Sequence, residues 1–411
     1  MDARPPDLRL LWQPAIVVGT LGYLVDIYDL VLFSIVRSPS LLDLGVAKEA
    51  LASQGLLLLN LQMAGMLVGG IVWGVLGDKK GRRLLLFGSI ALYSGATLAN
   101  AFVHSIDAYR VWRLLAGIGL AGELGGSMTL VAELLPKELR GYGTMLVATV
   151  GVFGAVIASV IADAWTWRWA YIIGGALGFA LLVLRIAVME SALFEGVRAR
   201  TDVRRGDFLS FFTNADRLKR YLCCICIGAP LWYAVGIVVT LCPEFAKALK
   251  VQGTVTGSRG ILFVYLGLTV GDFLTGTLSQ LWGSRKAAVL LGQLVAALFL
   301  CAFFASNGRS AAGFYGIIFG LGIGIGYWAV FATIAAEQFG TNLRATAATT
   351  IPNFARGALI PITLLFTWLK ASSGLVNAGM FTGAVCMVIA VVSLYKLRET
   401  YGVDLDYVEV S

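Results

Sequence analysis

The sequence predicts an all-α integral membrane protein with twelve spanning helices arranged as two six-helix bundles. Three observations predict it: composition, the spacing of apolar runs, and an internal repeat. Of the 411 residues 58% are hydrophobic and 14% charged, against roughly 25% charged in soluble domains, and the mean hydropathy is +0.82. A net charge of +8 would suit a nucleic-acid binder in a soluble chain. Here the basic residues cluster in short loops between apolar runs, which is a topology signal, and no nucleic-acid partner is expected.

A spanning helix needs about 20 mostly apolar residues. Segments that qualify run over 14–37, 54–77, 84–104, 108–135, 142–163, 168–189, 221–243, 258–282, 287–306, 311–336, 346–369 and 375–396. The first is too long for a signal-peptide core, carries Asp26 and Asp29, and lacks an A-x-A cleavage site, so it is read as retained. Between the second and third lies the basic loop "GVLGDKKGRR", and the fourth is followed by "ELLPKELRG". "WTWRW", Trp165 to Trp169, joins the fifth and sixth, where indoles serve as interfacial anchors. The longest polar gap, 190–220, divides the segments six and six. It gives an N-terminal bundle (1–189), a cytoplasmic linker (190–220) and a C-terminal bundle with a short tail (221–411). Roughly 20 basic residues fall on one side of the membrane and roughly 8 on the other, which places both termini in the cytoplasm of a multi-pass cell-membrane protein.

The two halves resemble each other. "GVLGDKKGRR" from Gly74 aligns with "GTLSQLWGSR" from Gly276, and "ELLPKELRG" from Glu133 with "EQFGTNLRA" from Glu337. The offsets, 202 and 204, are about half the chain, as a parallel duplication requires. A literal GxGxxG at Gly117, Gly119 and Gly122 sits inside the fourth segment with no preceding strand. Gly320, Gly322, Gly324 and Gly326 occupy the corresponding tenth. Both runs are read as helix-packing surfaces and not as a dinucleotide loop. Cys223, Cys224, Cys226, Cys242, Cys301 and Cys386 lie in or at the ends of apolar runs, and His104 is the sole histidine. No metal site or cofactor is expected, and no enzyme: no nucleophile is accompanied by a base.

Twelve helices in two repeats, with Gly74, Asp78, Lys79, Gly81, Arg82 and Arg83 in the pattern G-x-x-x-D-[RK]-x-G-[RK]-[RK], resemble the major facilitator superfamily. Arg113 followed by Gly117 and Gly119 resembles its fourth-helix motif. "DIYDLVLF", "AGELGG", "PKELRG" and "MESALF" are similar to the metabolite:proton symporters within it, while Gln280 stands where the first-half loop has Asp78. The resemblance implies alternating access with a cytoplasmic gate at the "GDKKGRR" loop. Glu133, Arg140, Glu337 and Arg344 of the second repeated loop pair are counted with that gate.

Ionisable residues near the bilayer centre cost roughly 2.5 to 3.5 kcal/mol each and mark a pathway or a pair. Six qualify: Asp26 and Asp29 in the first segment, Arg113 and Glu123 in the fourth, Asp272 in the eighth and Arg356 in the eleventh. Four acids facing two arginines leave two negative charges uncompensated. Asp26 and Asp29, three apart on one helix face, are expected to hold a proton together with Glu123. The arginines can grip a carboxylate through two parallel hydrogen bonds, and Arg356 is the expected substrate anchor. Its static alternative is a pair with Asp272. Tyr23, Trp232, Tyr233, Tyr327 and Trp328 are candidates to line the cavity. The expected function is proton-coupled symport of a small anionic or zwitterionic metabolite by a monomer. Proton-coupled antiport of organic cations is the alternative, and a nontransporting nutrient sensor a distant one.

Overall fold

The computed structural model describes residues 12–80, 82–122, 137–190 and 208–402. In the first half, α1 spans Pro14–Asp43, α2 Leu51–Lys80, α3 Arg82–Asn100, α4 Ile106–Leu120, α5 Lys137–Ala164 and α6 Trp167–Glu190. The second half opens with α7 at Ala215–Ile227, inside the stretch read as linker. It starts there because the Asn214 side chain accepts from the backbone N–H groups of Asp216 and Arg217, an N-cap.

From that point three expected spans are interrupted. The seventh breaks at Gly228 into α7 and the short α8 (Ala229–Tyr233), passes through a π-helical turn at Ala234–Val239, and resumes as α9 (Cys242–Ala248). After α10 (Gly257–Leu281) and α11 (Arg285–Phe304), the tenth span divides at Gly326 into α12 (Ala311–Ile325) and α13 (Trp328–Glu337). The eleventh divides at Ala358 between α14 (Thr341–Gly357) and α15 (Leu359–Lys396). Gly374, with a φ of +79°, turns the chain inside α15 and so separates the eleventh span from the twelfth. Breaks at membrane depth are tolerated only where surrounding protein satisfies the freed backbone groups, and they mark binding regions in transporters.

The glycine runs pack helices. In the first half α2 lies on α4, where a Cβ on Gly117 would run into the Gln62 carbonyl and one on Gly65 into that of Leu114. In the second half α10 lies on α12, where Gly267 meets the Phe319 carbonyl and Gly322 that of Val264. Gly65 and Gly69 recur as Gly267 and Gly271, 202 residues on, so the repeat seen in the loops is also a repeat of close helix contacts. Without bulk at these positions the backbones approach closely enough for dispersion contacts to hold the pair in a solvent with no hydrophobic drive.

The interface between the halves follows the same symmetry. The second span of the first half meets the fifth of the second (α2 on α14), and the fifth of the first meets the second of the second (α5 on α10). Helix α1 joins the arrangement by packing on both α5 and α10. Gly117→Ala forces overpacking against a backbone oxygen, for which the expected cost is about 1 to 3 kcal/mol. Gly95→Ala, on α3 with open space around its Cα, should leave the midpoint unchanged. Thermal unfolding of the two variants in detergent checks the difference.

Candidate functional site

Two buried arginines and two buried aspartates meet at mid-depth. Asp26, Asp29, Arg113 and Arg356 are each at most 1% exposed. Their arrangement differs from the expected shared carboxylate site. Three residues apart on α1, the two acids diverge. Asp26 faces the second half, with its Oδ2 3.6 Å from Arg356 Nη2. Asp29 faces its own half, against Gly174 of α6, with the Arg113 guanidinium as its cationic neighbour and the Thr97 hydroxyl beside it.

Arg113, on α4, is held in place by Gln62, whose Oε1 accepts from Nη1 at 3.1 Å; the Gln62 amide in turn donates to the Leu30 carbonyl. Phe33 and Tyr171 flank the guanidinium, their ring centroids 5.6 and 5.5 Å away. The Tyr171 and Tyr109 hydroxyls lie 2.6 Å apart. This is a closed polar core within the first half, and a cation over aromatic faces is stabilised by their quadrupoles.

Arg356 sits in the last turn of α14, where the helix C-terminus favours positive charge. Trp232 and Trp328 pack around it with centroids 5.8 and 5.7 Å from the guanidinium carbon, and against each other edge to face at 6.1 Å. Tyr23 of α1 and Tyr265 of α10 lie within electrostatic reach of both Arg356 and Asp26. Among the described residues, Nε, Nη1 and Nη2 of Arg356 have no hydrogen-bond acceptor, and Trp232 Nε1 has none either. At 3.6 Å the contact with Asp26 is an ion pair outside hydrogen-bonding distance. The site therefore presents a buried cation with its donors unused.

Asp272 is not the partner of Arg356. Its Oδ1 accepts from the Ala329 N–H at 3.2 Å, at the start of α13, while the Thr275 hydroxyl donates to the Gly326 carbonyl at 2.6 Å. The break at Gly326 creates a helix N-terminus in the protein interior, and Asp272 caps it from α10. Read as one continuous tenth span, the sequence offers no such role. The charge count changes accordingly: Asp26 pairs with Arg356, Arg113 is the cationic neighbour of Asp29, and Asp272 is occupied by backbone donors. Two of the aromatic candidates also lie elsewhere. Tyr233 donates to the Gly379 carbonyl and Tyr327 to that of Ile227, both within the second half. Tyr23, Trp232 and Trp328 do gather at the arginine. Glu123, Gly81 and Glu133 lie outside the described residues, as do the side chains of Asp78, Lys79, Arg82, Arg83 and Arg140; Gly74 is in α2.

In the second-half loop, Glu337 lies 3.5 Å from Arg285, and Arg344 is on the first turns of α14. The acid missing at Gln280 has a substitute from the tail. The carboxylate of Glu399 accepts from the Ser284 hydroxyl and from the N–H groups of Arg285 and Lys286. Burial works against its charge, but these hydrogen bonds prevail and hold the carboxyl below the usual glutamate range. Sequence reading also missed Tyr265, Gln62, Tyr171, and the pair Arg37 and Glu244, the last two because they fall at or just past expected segment ends.

A cation and carboxylates enclosed between two repeated helical bundles define a membrane carrier. The chain belongs to the Major Facilitator Superfamily, whose model matches residues 19–359. It is therefore a multi-pass membrane transporter of small molecules and not an enzyme. It is 24% identical over 95% of its length to 89% of the gentisate transporter of Corynebacterium glutamicum. To a putative niacin/nicotinamide transporter of Bacillus subtilis it is 24% identical, covering 95% of this chain and 96% of that one. Among solved structures, a proton:xylose symporter of the same superfamily superposes with a TM-score of 0.70 at 16% identity, over 96% of this chain and 97% of that one. This likeness is one of fold, the twelve-helix two-bundle arrangement.

Glu399 gives a testable pH dependence. Because its folded pKa is depressed, its contribution is complete above the unfolded value of about 4.3 and is lost as pH falls through the folded value. Glu399→Gln should therefore speed protease cleavage of the tail after Lys396 at pH 7, and the difference from the parent should persist down to about pH 4.3 and shrink only below it. Cleavage rates across that range check it.

Proposed function

We propose that the protein is a proton-coupled symporter of small organic carboxylates, with Arg356 as the anion anchor and Asp26 as the group that exchanges with the substrate. The observation that carries this reading is the Asp26–Arg356 contact, a buried ion pair that joins the two halves without a hydrogen bond. Breaking a buried pair from one side costs about 3 to 5 kcal/mol, because the remaining charge is uncompensated. Protonating Asp26 leaves Arg356 in that condition, and a substrate carboxylate then restores neutrality through a bidentate contact. Anion and proton enter together, one of each. Asp29 with Arg113, and Glu123, form the rest of the proton-handling group in this proposal.

Two features favour a planar, aromatic acid among carboxylates. Trp232 and Trp328 flank the guanidinium, with Tyr23 and Tyr265 close by, and rings of this kind stack on conjugated ligands. Of the ligands named for the two relatives, gentisate and niacin are aromatic carboxylic acids and nicotinamide is the aromatic amide. The antiport of organic cations fits less well, since each α1 acid already faces an arginine. Cytoplasmic termini, the bundle limits 1–189 and 221–411, the linker 190–220, monomeric action and gating by Asp78, Lys79, Arg82 and Arg83 complete the proposal.

Proteoliposome uptake under an imposed pH gradient tests it with a panel of aromatic carboxylates and a panel of cationic dyes. The carboxylates should accumulate and the dyes should not. Arg356→Lys keeps the charge but loses the fork, and affinity should fall about ten- to a hundredfold, from a charge-assisted hydrogen bond worth roughly 1.5 to 3 kcal/mol. Asp26→Asn should bind the anion yet fail to accumulate it uphill. Unchanged uphill uptake in Asp26→Asn would remove the coupling role.

A further inference from the structure

A second buried arginine on α1 also reaches across the two halves. Arg37 is 1% exposed. Its Nη2 donates to both carboxylate oxygens of Glu244 in α9, at 2.7 and 2.9 Å, and to the Thr240 carbonyl at 3.1 Å. Its Nη1 donates to the Leu51 carbonyl at the start of α2, at 3.1 Å. One side chain thus binds α1 to the next helix of its own half and to the seventh span of the other.

The surroundings are built for it. Gly55 of α2 leaves room for the arginine stem, since a Cβ there would sit 2.5 Å from Arg37 Cδ. The Thr240 carbonyl lies between the end of the π-turn at Val239 and the start of α9 at Cys242, where the change of helical register leaves a carbonyl for a side-chain donor. Two further polar contacts join the halves at the same end of the bundles. The Thr240 and Ser34 hydroxyls are 3.1 Å apart, and the Ser258 hydroxyl of α10 donates to the Ser159 carbonyl of α5 at 3.2 Å.

We propose that Arg37 and Glu244 are the latch that holds this face of the transporter shut, and that its release is the step that opens the path from this face to Asp26 and Arg356. The charge-assisted contact dominates the set, because it alone joins opposite charges across the two halves, one Nη2 reaching both carboxylate oxygens of Glu244 at 2.7 and 2.9 Å from a buried guanidinium. The other two contacts are neutral hydrogen bonds of the kind that re-form with water at little net cost. Arg37 and Asp26 lie eleven residues apart on the same continuous helix, about 16 Å along its axis. Tilting α1 away from the second half therefore moves both charges together. This is how a rigid-body transition between two packed states converts a local break into an open passage. The inference rests on the two-bundle architecture and not on the identity or charge of the substrate.

The test needs no substrate. Ser34→Cys places a thiol at the interface one turn before Arg37, and membrane-impermeant maleimide labelling in vesicles measures how often that interface opens. The parent with its six native cysteines sets the background. In the Ser34→Cys background, Glu244→Gln and Arg37→Gln should each raise the labelling rate roughly tenfold, the equivalent of losing one charge-assisted bond. The swapped pair Arg37→Glu with Glu244→Arg should return it toward the starting rate. Unchanged labelling in both single variants overturns the latch, and so does an increase that the swapped pair fails to reverse. Should the Gln variants fold poorly, Arg37→Lys, which keeps the charge but has no second nitrogen to hold the Leu51 carbonyl while contacting Glu244, must still label a few-fold faster for the proposal to stand.

Discussion

The contact between Asp26 and Arg356 is the constraint around which the centre of the molecule is organised. Two full charges out of water are tolerable only together, and these two come from different halves of a duplicated fold. In the proposed mechanism their pairing ties the protonation of Asp26 to the position of α14. The second carboxylate of α1 lies inside the first half, against Gly174, with Arg113 as its cationic neighbour. Gln62, Phe33 and Tyr171 keep that arginine where it is. One polar core lies within the first half, the other spans the interface, and a single helix carries an acid for each.

The second half reaches the site through interruptions. Trp232 lies between the break at Gly228 and the π-turn, Trp328 is the first residue of α13 after the break at Gly326, and Arg356 is two residues before the break at Ala358. A straight helix would bury its backbone groups completely and offer only side chains at fixed spacing. A broken one exposes a fresh N-terminus, and the cost of the α13 terminus is met by Asp272. The same device explains why a buried acid can be structural in a chain whose other buried acids face cations.

How much of this was legible in the sequence follows from periodicity and its limits. Apolar runs, the offset of the repeated loops and the glycine positions gave the twelve spans, the duplication and the packing faces of the fourth and tenth helices, because each depends on composition within one segment. Asp26, Asp29, Arg113 and Arg356 were visible as charges where charges are costly. Who faces whom was not. Three residues on a helix differ by roughly 60° in direction, which is enough to send Asp26 and Asp29 to opposite halves. The breaks at Gly228, Gly326 and Ala358 are also invisible to hydropathy, since both sides of each remain apolar, and with them went the role of Asp272. Arg37 and Glu244 were passed over because they stand at and just past the ends of the expected segments 14–37 and 221–243, whereas α1 continues to Asp43 and Arg37 is buried within it.

The account turns on whether the anion replaces Asp26 at Arg356, and proton uptake on binding measures that directly. Titrating purified protein with an aromatic carboxylate, by calorimetry in two buffers of different ionisation enthalpy, gives the number of protons taken up per ligand bound. The account predicts a value near one at neutral pH, lost in Asp26→Asn, with apparent affinity rising as pH falls, by up to about tenfold per unit while Asp26 is charged in the free protein. Tight binding with no proton uptake, and an affinity indifferent to pH, would contradict it.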